Sequence, residues 1–540
     1  MKDISSTGSF IDFTLENYIY VDKTEYIPNL VKLKRVFISR PRRFGKSLTL
    51  DTIGTLFESG VEPYFKGTWI YDKWTEPTYP VLRLNFLDLD KYSLDLFKQK
   101  LNSIITAFAQ DINLKSYKEK VEPEDTIYFL LDELRKEKRQ IVILIDEYDC
   151  QMTANINNET LYKQFQKKLQ NIYNNLKDKW AIKFLGITGV TRLKDVEIFS
   201  IGSDIRDITN ASAYSQMIGF TRDEIKKYYF DYLKLTASYE NNCSVDDVTD
   251  TQLESMLDMM AQNYDGYCFD EFYKKKVFST WSVNKFFQSV VNNKFVDFGE
   301  YWYDNGGLPS ILVNYLKTHE LNIFEYLDKD KFLKVSSDDF KNPTALTTIN
   351  QNVLMCQTGY LTLRSGLNKT STVVLGIPNG EIYKALNRLL ANNIFKGNTD
   401  ITDDYGRNLL EVGTVDDIIN LFNSALNSVS YDNYPIESES SVQNMLKLYL
   451  LGAHQEVLSE VHEAKGRADL VVNTDNKRIV FEFKYAKNEA EAKSKLSEAI
   501  EQIKTRDYGN ILPKKDELIR IAAVFNADPK VRAFTEYHEV

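Results

Sequence analysis

The sequence predicts an α/β protein of several domains: a doubly wound parallel sheet first, a mostly helical middle region, and a smaller α/β domain last. In residues 1–215, apolar β-type runs alternate with segments of helical periodicity. Helical spacing dominates residues 216–430, and residues 431–540 contain a strand hairpin followed by a helix. At 540 residues the chain is long enough for more than one hydrophobic core.

Composition indicates a cytoplasmic globular protein. Hydrophobic residues make up 43% of the chain and charged residues 27%, and no apolar run reaches the length needed to span a bilayer. The N-terminus lacks the features of a signal peptide. The four cysteines and four histidines form no Cys-x-x-Cys or His-x-x-x-His pair, which argues against a disulfide framework and a zinc hydrolase. A net charge of −10 opposes long-range attraction to nucleic acid but leaves room for a local basic channel.

The first predicted strand, "RVFIS" (35–39), runs into the turn "SRPRRFGKS" (39–47) and then a helix over 45–59. Strand, turn and helix N-terminus in this order are typical of a phosphate-binding loop, because main-chain N–H groups and the helix dipole face the anion. Lys46 would reach the β- and γ-phosphates of ATP, and the Ser47 hydroxyl would ligate Mg²⁺. The candidate nucleotide contacts in the turn are Pro41, Arg42, Arg43, Phe44, Gly45, Lys46 and Ser47.

The turn departs from the pattern G-x-x-x-x-G-K-[ST] at its first position, where Arg40 stands in place of glycine. Glycine permits a tight turn there. Pro41 biases Arg40 towards extended backbone, so we expect a wider turn. Arg42 and Arg43 either add positive charge beside the phosphates or only solvate the turn.

Further strands and helices follow at intervals that suit a parallel sheet. The predicted elements are a strand at 79–86, helices at 94–110 and 125–138, and a strand in "QIVILIDEYD" (140–149). At the end of that last strand, Asp146 is the candidate Mg²⁺ ligand and Glu147 is placed to polarise the attacking water. The run "AIKFLGITGVTR" (181–192) predicts another core strand, and Arg192 after it, or Arg206, could sense the γ-phosphate.

The middle region begins with a predicted helix in "GFTRDEIKKYYFDYL" (219–233), where Thr221 and Glu224 fit a capping box. Two stretches, 263–269 and 301–312, mix aromatic residues with turn residues. They indicate either aromatic packing around tight turns or a lid that contacts nucleotide. The runs at 359–365 and 372–379 predict a β-hairpin, which could be the wing of a winged-helix-like module.

The last quarter contains a predicted hairpin made of "ADLVV" and "RIVFEFKY" around the turn "NTDNK". Glu482 and Lys484 are two residues apart on the second strand and so share a face, and Asp469 on the first strand can lie beside Glu482. Clustered carboxylates raise each other's pKa unless a cation lies between them. A hard divalent ion satisfies them, and we expect Mg²⁺, with Glu460 as a third ligand. Such an ion activates water for phosphodiester hydrolysis, and Lys484 would orient the water or neutralise developing charge.

Several blocks together resemble the bacterial AAA-ATPase-like family, whose members commonly carry a C-terminal domain of the PD-(D/E)XK nuclease superfamily. The matching blocks are "YVDKTEYI" (20–27), "SRPRRFGKS" (39–47), "ILIDEYD" (143–149), "YDGY" (264–267), "QTGYLT" (357–362) and "PNGEIY" (378–383). In this family an arginine before P-R-R is usual, so the resemblance implies a working nucleotide site. It also implies a restriction-endonuclease-like fold carrying the catalytic set Asp469, Glu482 and Lys484, with Gln502 on the following helix.

Three functions remain open at this point. The first is an ATP-dependent or ATP-regulated, Mg²⁺-dependent nuclease, acting on DNA rather than RNA through the family resemblance, with Glu147, Asp469, Glu482 and Lys484 as catalytic residues. The second is a nucleotide-gated switch whose nuclease-like domain binds nucleic acid or a protein without cutting. The third is an ATPase with a vestigial tail. A homo-oligomer is expected if a neighbouring subunit's arginine completes the ATP site.

Overall fold

The computed structural model of the protein describes most of the chain. The described residues are 1–177, 179–193, 204–302, 310–316, 319, 323–343, 345–367, 370–395, 405–453, 455–463, 466–506, 508–509 and 514–540. Contacts divide the chain into two compact units, one of residues 1–319 with 332–382 and the other of residues 320–331 with 383–540. The domain boundaries drawn from sequence, at 215/216 and 430/431, stay predictions. No helix in the described ranges is long and apolar enough to cross a membrane.

A parallel sheet forms the centre of the first unit. Its strands are β1 (Arg35–Ser39), β2 (Val81–Asn85), β3 (Ile141–Asp146), β4 (Ile182–Gly189) and β5 (Arg206–Asp207), in the order β2-β3-β4-β1-β5. Every neighbouring pair is parallel. All five residues of β1 and the first five of β3 are buried, as expected of strands covered on both faces. The predicted parallel sheet is confirmed, and the short strand β5 is an addition.

Helices precede and connect these strands. They are α1 (Phe10–Leu15), α2 (Ile27–Leu33), α3 (Lys46–Ser59), α4 (Leu94–Asp111), α5 (Pro123–Lys136), α6 (Cys150–Ala154) and α7 (Glu159–Leu176). α4 begins where the Ser93 side chain accepts a hydrogen bond from Leu96 N, and α5 begins with Pro123 in its first turn. The predicted helices at 94–110 and 125–138 therefore form.

The rest of the first unit is mainly helical. Its helices are α8 (Arg222–Tyr228), α9 (Phe230–Glu240), α10 (Asp250–Tyr264), α11 (Thr280–Asn293), α12 (Ser310–Leu316), α13 (Ser337–Lys341) and α14 (Gln351–Thr358). The capping box of Thr221 and Glu224 is present. The predicted single helix at 219–233 is instead two helices, because the chain leaves helical geometry at Tyr229 (φ −108°, ψ 20°).

A small antiparallel sheet accompanies these helices. It contains β6 (Leu333–Ser336), β7 (Thr362–Ser365) and β8 (Thr372–Gly376), in the order β6-β8-β7. β7 and β8 form the hairpin that the sequence predicts. The third strand, β6, has no separate signal in the sequence.

The second unit contains a five-stranded mixed sheet. The remaining helices are α15 (Gly380–Ile394), α16 (Tyr405–Val412), α17 (Val415–Ser428), α18 (Glu439–Gly452) and α19 (Glu489–Arg506). The strands are β9 (Glu456–Glu463), β10 (Gly466–Asn473), β11 (Lys477–Ala486), β12 (Glu517–Asn526) and β13 (Ala533–Glu539), in the order β13-β12-β11-β10-β9. Only β11 and β12 pair in parallel, and α19 lies between them in sequence, as a crossover requires.

Alternation along β11 gives this sheet two different faces. Phe481 and Phe483 stack with ring centroids 5.5 Å apart, and Phe422 of α17 lies 5.3 Å from Phe481. Val480 belongs to a second cluster with Ala499 of α19. The predicted hairpin of β10 and β11 therefore forms with its aromatic residues beneath a helix.

Candidate functional sites

The turn between β1 and α3 has the backbone of an anion-binding loop. Gly45 has φ +99° and caps the 14-residue helix α3, and Arg43 has φ +68°. A Cβ placed on Gly45 would meet no atom within 4 Å, so glycine is needed there for its backbone angle and leaves open space beside it. Within the described part of the chain, the main-chain N–H groups of Gly45, Lys46 and Ser47 donate to no other residue. Unpaired N–H groups at a helix N-terminus favour a bound anion.

Lys46 and Glu147 meet beside this loop. The Lys46 ammonium is almost buried, with its Nζ 3.3 Å from the carbonyl oxygen of Pro41 and 3.6 Å from Oε1 of Glu147. Glu147 follows β3 with φ +51°, which turns its side chain out of the strand direction. The lysine and acid predicted for one site are therefore neighbours.

Asp146 and Ser47 line the same cavity, of about 150 Å³, next to Asp51 and Asn85. The Asp146 Oδ1 atom accepts hydrogen bonds from the Thr188 hydroxyl and from the Glu147 N–H. These bonds fix one carboxylate oxygen at the end of β3. The residues fit a hydrated Mg²⁺, because a hydroxyl and a carboxylate share one polar opening.

Arg40 occupies the position of the usual first glycine, and its side chain turns inward. Its guanidinium is 1% exposed, with Nη1 2.9 Å from the carbonyl oxygen of Ser39 and 2.6 Å from that of Thr209. The guanidinium carbon lies 4.1 Å from the Phe269 ring centroid. Burial lowers the pKa of Arg40 to about 9. Arg40 is thus an internal brace that ties β1 to the segment after β5.

Arg43 also binds protein rather than solvent. Its Nη1 donates to the carbonyl oxygens of Tyr301 (2.9 Å) and Trp302 (3.3 Å), and its guanidinium lies 4.6 Å from the Trp281 ring centroid. Arg42 is half-buried and makes no hydrogen bond to another described residue. The proposed phosphate contact of either arginine stays a prediction.

Phe44 and Pro41 anchor the loop in an aromatic cluster. The Phe44 ring is 1% exposed and lies 4.8 Å from the Tyr267 ring centroid, and Tyr267 stacks on Trp302 at 5.8 Å. Gly359 has φ +92°, and a Cβ there would lie 2.9 Å from Pro41 Cβ. The aromatic residues of 263–269, with Tyr301 and Trp302, therefore pack around tight turns beside the phosphate loop, which is one of the two alternatives that the sequence offers. Residues 303–309 of the second stretch lie outside the described residues.

The other residues of "IDEYD" hold the segment after β4. Asp149 is buried, and its Oδ2 accepts a hydrogen bond from Thr191 N at 2.7 Å, while the Tyr148 hydroxyl donates to Thr191 O at 3.0 Å. Burial, then the charge of Glu147, raises the pKa of Asp149. Sequence reasoning named Asp146 and Glu147 for the site and assigned Asp149 no role.

Arg192 lies on the other side of the loop. It forms an ion pair with Asp207 of β5 and borders a cavity of about 40 Å³ together with Arg40 and Pro41. Arg206 is exposed on β5. A role for either arginine in sensing nucleotide stays a prediction.

A second cavity, of about 160 Å³, opens beside Gly45. Its walls come from the N-terminal segment 5–24, the start of α3, residues 217–220 and the start of α11. Apolar and aromatic side chains predominate, with Val21, Leu48 and Trp281 among them. Sequence reasoning assigned this cavity no role, because its walls are distant in sequence.

Lys23 fastens the N-terminal wall of that cavity. Its ammonium donates to Gln216 O at 2.7 Å and to Glu224 Oε2 at 2.6 Å. Burial lowers the pKa of Lys23, and the charge of Glu224 opposes that shift. The motif "YVDKTEYI" therefore serves to position the cavity wall.

The second candidate site lies on β10 and β11. Glu482 is fully buried, and its Oε1 is 2.8 Å from the Lys484 ammonium. Oδ2 of Asp469 accepts a hydrogen bond from Phe483 N at 2.8 Å. Burial and the charge of Asp469 raise the pKa of Glu482 to about 7, and Lys484 opposes the shift. The structure thus brings together the predicted triad of two carboxylates and an ammonium.

α18 adds two residues that the sequence reasoning missed. Glu439, its first residue, has Oε1 3.4 Å from Lys484 Nζ, and the Gln443 side chain donates to Asp469 O. The run "ESES" (437–440) at the start of the helix is the only sequence signal for an acid there, since nothing in the spacing links it to β11.

Two other predicted residues, Glu460 and Gln502, differ in their surroundings. Glu460 lies opposite Asp469 in the strand register, between the pairs Ala468–Val461 and Leu470–Ser459, and its side chain lies outside the described residues. The Gln502 amide donates to the Tyr508 hydroxyl at 3.4 Å. A metal-binding role for Glu460 stays a prediction.

The triad has the donor atoms that a divalent cation needs. Oε2 of Glu482 is buried without a hydrogen-bond partner among the described residues. Such an orphaned carboxylate oxygen is costly unless a cation binds it. No group of three His, Cys, Asp or Glu residues is assembled within the described ranges, so the visible donors are two carboxylates. That set fits Mg²⁺, which keeps several of its waters.

Two family models match the two parts of the chain that contain the candidate sites. Residues 5–199 match the family model described as predicted AAA-ATPase, and residues 437–535 match that of the PD-(D/E)XK nuclease superfamily. An uncharacterized protein in the vnfD 5′ region of Azotobacter chroococcum mcd 1 is 25% identical over 533 residues, covering 95% of this chain and 94% of its own. A crystal structure of Cdc6p from Pyrobaculum aerophilum aligns over 68% of this chain and 93% of its own at 11% identity, with a TM-score of 0.22 that is too low to support any argument.

Proposed function

The chain carries an AAA-ATPase-like domain and a PD-(D/E)XK nuclease superfamily domain, and on that premise we propose that it is an ATP-regulated, Mg²⁺-dependent nuclease. The substrate is a phosphodiester of nucleic acid, DNA rather than RNA. The observation that carries the proposal is the buried Glu482 carboxylate, which has one oxygen on Lys484 and the other without a partner among the described residues. A cytoplasmic location and a homo-oligomeric state stay predictions.

The first unit supports nucleotide binding in two ways. The unpaired N–H groups of Gly45, Lys46 and Ser47 offer donors to phosphate oxygens, next to the Lys46 ammonium. The apolar cavity beside Gly45 offers a place for the base, and planar bases bind well against aromatic and aliphatic walls. Glu147, beside Lys46, is positioned to accept a proton from an attacking water.

The second unit supports phosphodiester hydrolysis. A divalent cation bound there would lower the pKa of a water and stabilise the charge that develops on phosphate. Asp469 and Glu482 would hold that cation, since both carboxylates lie on neighbouring strands. The Lys484 ammonium, held by Glu482 and Glu439, is available to stabilise negative charge on the phosphate oxygens.

Regulation is proposed because both functions share one polypeptide. The division of the chain into units falls between Ile382 and Tyr383, within the helix α15. An unregulated nuclease would damage its own host, which makes such control useful.

The test is DNA cleavage with Mg²⁺, with and without ATP, by the full chain and four variants. We expect Asp469→Ala to lose roughly 100-fold or more of the cleavage and to keep ATP hydrolysis. Lys46→Ala should lose ATP binding and the ATP dependence of cleavage. Asp516→Ala and Lys66→Ala, which change exposed residues, serve as controls. Cleavage by Asp469→Ala at the unmodified rate would refute the nuclease assignment.

A nucleotide-gated binding switch is the second candidate. The net charge of −10 and the occupation of Lys484 by two carboxylates favour it, because both weaken attraction to a polyanion. This alternative predicts ATP-dependent binding of nucleic acid or a protein, with no Mg²⁺- or Mn²⁺-dependent cleavage by any variant. The same assay, read with a gel-shift measurement, separates the two functions.

A further inference from the structure

Glu381, the second residue of α15, has a buried carboxyl group that neither candidate site uses. It is 2% exposed, and its Oε1 and Oε2 accept hydrogen bonds from Trp302 N (2.8 Å) and from the Ser282 hydroxyl (2.7 Å). Among the described residues its neighbours are hydrogen-bond donors and the carboxylate of Glu300, with no cationic side chain paired to it. A buried acid with two specific donors, far in sequence from both the phosphate loop and the triad of β10 and β11, requires an explanation.

One route from Glu381 leads to the phosphate loop through a single peptide group. The N–H of the Tyr301–Trp302 peptide donates to Glu381, and the carbonyl of the same peptide accepts from Arg43 Nη1 at 2.9 Å. The Trp281 indole N–H donates to that carbonyl as well, at 3.1 Å. Because donors at one end and an acceptor at the other polarise a peptide in the same sense, these hydrogen bonds strengthen one another.

A second route passes through the start of α11. The main-chain carbonyl of Arg43 accepts hydrogen bonds from the Thr280 hydroxyl at 2.8 Å and from Trp281 N at 3.3 Å. Ser282, the next residue, donates to Glu381. Glu381 is therefore linked to both the side chain and the main chain of Arg43.

Arg43 is the residue whose conformation shapes the loop. It has φ +68°, a left-handed angle that a non-glycine residue adopts only where its surroundings hold it. The next residues, Phe44 and Gly45, lead directly to the unpaired N–H groups at the start of α3. A contact that holds Arg43 in place therefore also sets the direction of the N–H groups at the start of α3.

We propose that Glu381 is a positioning residue for the nucleotide site, holding Arg43 through the Tyr301–Trp302 peptide and Ser282 so that the phosphate loop is preformed. The inference rests on the proposed binding of ATP in that loop. It gives the motif "PNGEIY" a function, namely to supply a carboxyl oxygen at the helix start. It also makes the start of α15 sensitive to the state of the loop.

The experiment measures the Kd of Mg·ATP and the steady-state KM and kcat of ATP hydrolysis for the full chain. We expect Glu381→Ala to raise the Kd and KM about 10-fold, with kcat changed by less than about 3-fold. Glu381→Gln should stay within about 2-fold of the unmodified protein, since a carboxamide oxygen still accepts from Trp302 N. Glu240→Ala, at an exposed carboxylate ending α9, is the control.

A double-mutant cycle tests the link to Arg43. Because both residues act through one brace, Arg43→Ala combined with Glu381→Ala should weaken binding no more than Arg43→Ala alone. The inference would be overturned if the fold-increases in Kd of the two single variants multiply in the double variant, or if Glu381→Ala leaves the Kd unchanged. If Glu381→Ala does not fold, Ser282→Ala replaces it, with an expected loss of about 3-fold and the same non-multiplying result.

The outcomes separate this inference from the function on which it rests. An unmodified protein that binds no ATP overturns both. An unmodified protein whose ATP binding is abolished by Lys46→Ala but untouched by Glu381→Ala and Ser282→Ala keeps the proposed function and overturns the inference alone.

Discussion

Replacing Arg40 with glycine restores the residue that phosphate loops usually have at that position, yet we expect the change to destabilise the first unit. The Arg40 guanidinium donates to the carbonyl oxygens of Ser39, Thr209 and Tyr214, at 2.9, 2.6 and 3.4 Å, and it lies on the Phe269 ring. Replacing Arg40 with glycine leaves the buried carbonyl oxygens of Ser39 and Thr209 without the guanidinium donors.

The magnitude follows from three contributions. Each orphaned buried carbonyl costs about 1–3 kcal/mol, and the lost cation–π contact costs up to about 2 kcal/mol. In the opposite direction, the lowered pKa of about 9 shows that burial of the charge is itself unfavourable, so its removal returns part of the loss. We expect a net loss of about 2–4 kcal/mol in the free energy of unfolding of the first unit.

The assay is urea unfolding of the full chain, followed by a signal from the first unit such as near-UV circular dichroism of its tryptophans. Arg42→Gly is the matched control, because Arg42 is half-buried and makes no hydrogen bond within the described chain. It should cost about 1 kcal/mol or less. An Arg40→Gly protein with unchanged stability and tighter ATP binding would refute the reasoning.

Two further predictions concern backbone space and titration. Gly266→Ala should lower the free energy of unfolding of the first unit by roughly 2–4 kcal/mol, because φ is +93° and the new Cβ would lie 2.2 Å from Pro378 O. Gly67→Ala, where φ is +86° and the space is open, is the control and should cost only about 1–2 kcal/mol. Equal thermal midpoints for the two variants would contradict this explanation. Mn²⁺ should bind the second unit roughly 10-fold tighter at pH 8 than at pH 6, because the Glu482 carboxyl, with a pKa of about 7, is mostly protonated at pH 6 and mostly ionised at pH 8. Without metal, stability changes with pH in the opposite direction. Because the pKa of Glu482 in the folded protein is above its ordinary value of 4.5, the free energy of unfolding falls as the pH rises from 4.5 to 7. Calorimetry that finds the same pH dependence in Glu482→Gln would contradict the assignment of this titration.

Patterns of short range predicted most of the framework. The β-branched runs before Ser39 and Asp146 are buried strands, and the alternation in "RIVFEFKY" placed Glu482 and Lys484 on one face, where their charged atoms are 2.8 Å apart. These signals are readable because strand and helix periodicities are set within a few residues.

Contacts between distant segments could not be read in the same way. Glu439 reaches Lys484 from a helix 45 residues earlier, and Arg40 bonds to Thr209 across 169 residues. The sequence shows that Arg40 replaces the glycine usual at that position, but the acceptors that stabilise its buried side chain are main-chain carbonyls, which every residue carries. Side-chain identity therefore offers no signal for them.

The glycines at 266 and 359 show why the motif blocks form one functional unit. Gly266 allows the chain to approach Pro378, two residues before the helix that carries Glu381, and Gly359 lies against Pro41 and Trp302. Trp302 in turn lies beside Phe44 in the phosphate loop. Where another residue approaches the backbone this closely, only glycine fits, whatever the ligand. Gly266 and Gly359 therefore help to position the loop without touching nucleotide. It follows that substitutions in "YDGY" or "QTGYLT" should weaken ATP binding together with the stability of the first unit, whereas Lys46→Ala should weaken ATP binding and leave stability nearly unchanged.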